Sequence, residues 1–496
     1  MSRFAAIHGH FYQPPRENPW TGVVEREASA APYHDWNERI TAECYAANAA
    51  PKMRDGAGRI HALPSSYGRI SFDFGPTLLS WLETNEPNVY RAILDADAEG
   101  RERFGGHGPA IAQGYNHVIL PLASSRDKRT QIYWGIRDFE HRFGRSPEGM
   151  WLPETAVDLE TLDLLAEYGI RFTILAPSQA ARVRPREATA WTDVTGGRID
   201  TSRAWEARLA SGRRIALFFY DGALSHGVGF GGLLHNGQRL AEELARSLPE
   251  GRSGLAHLAT DGETFGHHHK FGDLALATAL DFLESRGIAR LTVHGEFLAA
   301  QPPEAEVEIL ENTSWSCPHG VRRWAEDCGC ATGERPAWGQ AWRRPLREAL
   351  LWLRDALAER FEATGARLFR DPWAARDESI ALVLDPSAAA VEAFLPRHAA
   401  RAMTVEERLS ARRILESQRW SMTMFTSCGW FFDDLGGLEP RQVLRYAARA
   451  VELDAQVHGD SLETGLLARL AEAHSNDRSL GDGAAIYRQS VDNRGR

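Results

Sequence analysis

Lysine is almost missing from this chain. Lys52, Lys128 and Lys270 are the whole complement, so arginine supplies nearly all of the 57 basic residues, and 67 acidic ones leave a formal net charge of −10. That balance offers no basic face for non-specific nucleic-acid binding. Cysteine is sparse as well: five in 496 residues exclude a disulfide framework and predict a reducing compartment, the cytoplasm. No apolar run approaches the ~20 residues that cross a bilayer. The opening MSRFAAIHGHFYQPP lacks the apolar core and small-residue cleavage site of a secretory signal. Internal repeats and low-complexity linkers are also absent. What is present, 43% hydrophobic and 25% charged residues, is the composition of a soluble globular protein, and the length exceeds one ordinary domain.

Short apolar runs that read as buried strands recur at 3–8, 69–74, 110–115, 149–152, 171–175, 213–220 and 255–260. Helical patterns, such as 126–143 and 159–168, lie between most of them. Seven strands with mostly helical crossovers predict an α/β fold with a parallel sheet. Their spread over residues 1–305 favours a (β/α)7 barrel over an open sheet. A connecting segment rich in Cys, His and Trp follows at 306–340, and 306–311 within it offers one more short strand. Leucines at helix spacing (Leu346, Leu350, Leu353, Leu357) then predict a C-terminal helical bundle over 341–496.

The expected strands end in polar residues: His8 and His10 with Gln13 just beyond, Asp73, Asn116 and His117, Glu154, Asp221, and Asp261 with Glu263. In a barrel such ends share one rim, which is where barrels keep their chemistry. Singly, each has an ordinary reading. Glu154 is an acid near a helix start, Asp261-Gly262 is a turn, and His267-His268-His269 is a partly solvated loop. Farther along, Cys317, His319, Cys328 and Cys330 place four ligand-type side chains in fourteen positions. Zinc accepts such a set, although C-x-H and C-x-C are tighter than its usual spacing. The alternative is a loop whose thiols pack against Trp315 and Trp324. The aromatic stretch 427–434, around Trp430, reads as bundle core or as a sugar-stacking wall.

Assembled, these blocks resemble glycoside hydrolase family 57 from His8 to about Leu453. The run HGHFYQPP is similar to the family's first block, and Phe72-Asp73-Phe74-Gly75-Pro76 falls where the second belongs. Met150-Trp151-Leu152-Pro153-Glu154 matches the third, and Thr260-Asp261-Gly262-Glu263-Thr264-Phe265-Gly266 the fourth. The resemblance implies Glu154 as nucleophile and Asp261 as general acid/base. It also implies a (β/α)7 barrel with a helical C-terminal domain, and retaining chemistry on α-glucans of the amylase, 4-α-glucanotransferase or branching type. Its partner would be an oligo- or polysaccharide, and no metal or other cofactor would serve the chemistry. ENTSWSCPHGVRRW, DCGC and TSCGWFFDD resemble one bacterial branch of the family. This chain departs from it with Asp73 for an expected Asn, Gly429 for an Asp, and Ser178 for a His.

On that reading His8, His10, His117, Gln13, Asp73, Asp221 and Glu263 contact the sugar, while Trp151, Trp315 and Trp430 stack on its faces. Two rival classes share the residues. A metal-dependent carbohydrate hydrolase, of deacetylase or α-mannosidase type, would use His8, His10 and Asp261 as ligands. A non-catalytic glycan-binding protein would account for Asp73 and Gly429.

Overall fold

The computed structural model describes residues 3–54, 59–333 and 335–492. The chain forms two compact units. The first comprises the segment up to Pro15, Arg26–Gly114 and Phe139–Trp315. Its frame is seven strands: β1 (Arg3–Phe11), β2 (Ser71–Phe74), β3 (Ala112–Gln113), β4 (Met150–Trp151), β5 (Phe172–Leu175), β6 (Arg214–Phe219) and β7 (Gly254–Asp261).

The strands follow one another in sequence order around a parallel barrel. β1 pairs with β2 on one side and β7 on the other. A Phe72–Ala110 bridge leads from β2 toward β3, β3 pairs with β4, and a Gly149–Phe172 bridge leads on to β5, which pairs with β6. The ring closes at Asp221, whose backbone N–H donates to His257 O at 2.9 Å. Continuous burial along β1, from Phe4 to Phe11, is what a strand covered on both faces requires. Some of the barrel helices begin where the sequence supplies a capping side chain. Asp158 accepts from Thr161 N at 2.8 Å to start Leu159–Glu167, and Asn236 accepts from Arg239 N at 3.1 Å to start Gly237–Arg246.

One connection is not helical. Between β5 and β6 the chain builds antiparallel strands, and Trp205–Arg208 pairs with β6. The stretch expected as a further strand at 306–311 is Ala305–Ile309, which joins this extension beside Ala180–Pro185. Alternating arginines and glutamates hold the register, with Arg184 on Glu306 at 2.7 Å and Arg182 on Glu308 at 2.6 Å.

The second unit comprises Arg16–Glu25, Tyr115–Asp138 and the chain from Ser316 onward. It thus takes two segments from within the first 305 residues, and the Cys/His segment belongs to it from Ser316 onward, its first ten residues lying in the first unit. Its long helices are Arg343–Leu368, Val405–Thr423 and Leu438–His458, around a core that includes Phe361, Phe394, Ile414 and Leu415. No helix among the described residues is long and apolar enough to cross a membrane.

Candidate active site

Register assembles the rim. His10 on β1 lies level with Asp73 on β2 and with Asp261 on β7, so three titratable groups meet on three adjacent strands. Asp73 is fully buried and bridges the two histidines, accepting from His8 Nε2 at 3.0 Å and His10 Nδ1 at 2.8 Å. The network fixes the His8 tautomer: Nε2 donates to Asp73, and Nδ1 accepts from the Ser71 hydroxyl at 3.0 Å. Burial pushes the His8 pKa down, against the pull of Asp73. Burial opposes the His10 charge too, but Asp73, with Asp261 and Glu263 behind it, overrides that and holds His10 up at about 9. At neutral pH the site therefore contains one imidazolium and one neutral imidazole on a shared carboxylate.

Both rings stack on Trp151, at centroid distances of 4.8 and 5.1 Å. This tryptophan is fully buried, so its expected place on a sugar face is corrected: its faces serve the histidines.

Glu154 sits just beyond β4 with φ +58, and Thr155 follows at +49. Two consecutive non-glycine residues in the left-handed region are strained, and the surroundings must hold them. Thr155 N donates to Leu152 O at 2.7 Å, and Gln179 Nε2 donates to Thr155 O at 2.9 Å. Trp315 clamps the acid twice, its backbone N–H on Glu154 O and its indole N–H on Glu154 Oε2, both at 3.0 Å. The Trp315 ring also stands edge-on to Trp151 and Tyr220.

Asp261 reaches solvent, yet the protein around it displaces enough water to raise its carboxyl. The His10 cation pulls the other way, Glu154 and Asp73 add their negative charge, and the result is about 6. A group accessible to water but walled in by protein is what the floor of a cleft provides. Gly262 beside it admits no side chain, because a Cβ there would lie 2.2 Å from the Phe11 ring.

Two carboxylates expected on the substrate have partners within the protein. Asp221 caps the helix Gly222–Gly229, accepting from Ala223 N at 2.9 Å and Leu224 N at 3.0 Å. Glu263 is buried, accepting from Tyr12 N at 3.0 Å and the Tyr45 hydroxyl at 2.5 Å. Tyr45 ends a π-helical turn, Thr41–Tyr45, a device frequent at functional sites. Burial first, and Asp261 after it, raise Glu263 to about 7 against the Tyr45 hydrogen bond. Gln13 is buried, and its side-chain amide donates to Tyr12 O at 2.9 Å.

Residues 49–309, more than half of the chain, match Glycosyl hydrolase family 57. The chain belongs to that family. Residues 338–494 match a domain of unknown function, DUF3536. The family 57 chain is similar to Alpha-amylase 1 of Dictyoglomus thermophilum, at 25% identity over 197 residues, 40% of this chain and 26% of that one. It is also similar to a 4-alpha-glucanotransferase of Thermococcus litoralis, at 21% identity over 263 residues, 50% of this chain and 36% of that one. It therefore spans about a third or less of these relatives' length. Its fold is that of an exo-type maltose-forming amylase from Pyrococcus sp. ST04, with TM-score 0.70 and 15% identity, covering 99% of this chain and 88% of the other.

The remaining family 57 site candidates lie in the second unit. His117 has φ +55, and its Nδ1 is 2.6 Å from the Ser427 hydroxyl. Trp430 is fully buried, with its indole N–H donating to Arg343 O at 3.2 Å; a core position replaces the expected stacking wall. Gly429 has no space for the aspartate of the family block, since a Cβ would meet Val443 at 2.6 Å. Asp433 and Asp434 do not stand in for it. The first accepts from Thr332 N and Oγ1, and the second from the Ser475 hydroxyl and Asn476 N.

Among the described residues, His8, His10 and Asp261 do not cluster as a metal-ligand set, and Asp73 bridges the two histidines instead. His267 pairs with Glu43 at 2.5 Å, and His269 Nε2 donates to Gly229 O at 2.8 Å. Tyr12, Tyr45 and Ser71 were not singled out in the sequence. Tyr12 lies two residues beyond His10, but nothing local marks the other two.

Proposed function

We propose that this family 57 chain is a retaining enzyme of α-glucans, with Glu154 as nucleophile and Asp261 as general acid/base. Glu154 attacks the anomeric carbon while the Asp261 proton passes to the leaving oxygen, giving a glycosyl-enzyme. Asp261, now a carboxylate, takes a proton from the incoming hydroxyl, which re-forms the acid and releases Glu154. Water as acceptor gives hydrolysis, and a second glucan gives transfer.

The observation that carries the reading is the setting of Asp261. A carboxyl held at about 6, in part by the charge of Glu154, keeps a proton to donate where an ordinary aspartate has lost it. The Trp315 clamp supports a nucleophile role for Glu154, and the relatives named amylase and glucanotransferase support the substrate class. The buried His8–Asp73–His10 relay supplies one cation beside two acids. Five cysteines in 496 residues suit a reducing, cytoplasmic setting.

The test is incubation with amylose and a maltooligosaccharide ladder, with products separated by chromatography and the product anomer followed by NMR. The wild type is expected to shorten or redistribute the chains with the α configuration kept. Glu154→Gln and Asp261→Asn are each expected to lose orders of magnitude in turnover while melting as folded proteins. Products of inverted configuration, or full activity in either variant, would refute the assignment.

A further inference from the structure

The chain from Ser316 to Thr332 holds little regular structure, only the short turn Arg322–Trp324, yet it is closely fixed. Arg343 Nη1 donates to Cys330 O at 2.8 Å, Arg347 Nη1 to Trp324 O at 3.1 Å, and Arg323 Nη2 to Phe431 O at 2.7 Å. Trp324 is fully buried. Within this segment the chain doubles back and brings Cys317 and His319 opposite Cys328 and Cys330.

The distances between these side chains are informative. Cys317 Sγ lies 3.8 Å from Cys328 Sγ and 3.7 Å from Cys330 Sγ, and Cys330 Sγ lies 3.5 Å from His319 Nδ1. All four ligand atoms fall within 4.8 Å of one another, and no other such cluster occurs among the described residues. A tetrahedral zinc with Zn–S of about 2.3 Å and Zn–N of about 2.05 Å has S···S edges of about 3.8 Å and S···N edges of about 3.5 Å. These three separations match such edges. They are far too long for disulfides, whose sulfurs are bonded at about 2.05 Å.

We propose that Cys317, His319, Cys328 and Cys330 bind one zinc ion as a closed, structural site that staples this loop. Three soft sulfurs and an imidazole select zinc over calcium or magnesium. Four protein ligands fill the tetrahedron and leave no open position for a substrate, so the site's work is in the fold and not in the chemistry. The tight C-x-H and C-x-C spacings are explained by the chain reversal, since each pair supplies two neighbouring corners. Binding displaces the thiol protons to solvent, so affinity falls as pH falls.

The proposal rests on neither Glu154 nor Asp261, and its test reads metal, not glucan turnover. The full chain, purified without chelator from zinc-supplemented medium, is analysed by inductively coupled plasma mass spectrometry; about one zinc per chain is expected. Cys328→Ser and Cys317→Ser should lose most of it, and His319→Cys should keep it by rebuilding a four-sulfur site. Cobalt exchanged into the wild type should show tetrahedral ligand-field bands and a sulfur-to-cobalt charge-transfer band, a readout independent of how the variants fold. Mercurial treatment with a chromogenic chelator should release the zinc, and the 316–332 loop should then become cleavable by protease. A wild type that carries no zinc and takes up no cobalt overturns the proposal, as does a Cys317–Cys330 disulfide found by mass spectrometry or iron in place of zinc.

Discussion

Glu263→Gln separates electrostatics from hydrogen bonding in the acid cluster. Glutamine keeps the carbonyl oxygen that accepts from Tyr12 N and the Tyr45 hydroxyl and removes only the charge. In the unfolded chain this carboxyl releases its proton near 4.5, whereas the folded protein keeps it to about 7. Between those values the folded state binds the extra proton, so the stability this group contributes is complete below 4.5 and lost as pH rises through 7. Above 7 the native state carries a buried carboxylate. The gap between 4.5 and about 7, at about 1.4 kcal/mol per pH unit, makes its cost on the order of 3 kcal/mol. Urea unfolding at pH 5 and pH 8 measures this. The variant should exceed the wild type by under ~1 kcal/mol at pH 5 and by up to ~3 kcal/mol at pH 8, with an unchanged m-value. A variant no more stable at pH 8, or equally stabilised at both values, would refute the reasoning.

The other predictions concern activity. Because Asp261 must hold its proton to assist departure, kcat/KM should fall as pH rises through about 6, and Asp261→Glu should move that limb; a limb unaffected by the substitution would count against Asp261 as the acid. Asp73→Asn removes the main support of the His10 charge, so histidine NMR should show that ring titrating well below its present value of about 9. The activity limb should move little, because a cation and an anion disappear together. Trp315→Phe keeps an aromatic side chain, though a smaller one, and deletes the N–H on Glu154 Oε2. A hydrogen bond to a charged group is worth ~1.5–3 kcal/mol, which predicts a fall in kcat/KM of roughly ten- to a hundredfold, and an unchanged value would remove the clamp from the mechanism.

The barrel was legible because its strands are continuous apolar runs that stop at polar residues, and a parallel strand buried on both faces produces that pattern. The residues 180–185 were not legible as strand. Their partner, Ala305–Ile309, lies more than a hundred positions away, and alternating arginines read as loop until the glutamates opposite are known. Asp261, Glu154 and His10 were visible as strand ends. Tyr45 was not, because only a π turn aims its hydroxyl at Glu263. Trp151 and Trp430 show the limit of reading aromatics: the same residue lines a cleft or fills a core, and burial alone distinguishes the two. Spacing left the Cys/His set open between zinc and a packed loop, because it assumes ligands along one smooth loop and misses a chain that reverses.

Synthesis order sets a difficulty for this barrel. β1 is the first of the seven barrel strands along the chain, and its main partner is the last: Arg3 lies level with Gly254. At ~5–20 residues per second, translation takes on the order of 10–50 s to supply that partner. Throughout that interval β1 has both edges or one edge unpaired, and its apolar side chains are exposed on the nascent chain. The barrel cannot close by growing from its beginning, and its early strand is a segment for ribosome-associated chaperones to shield.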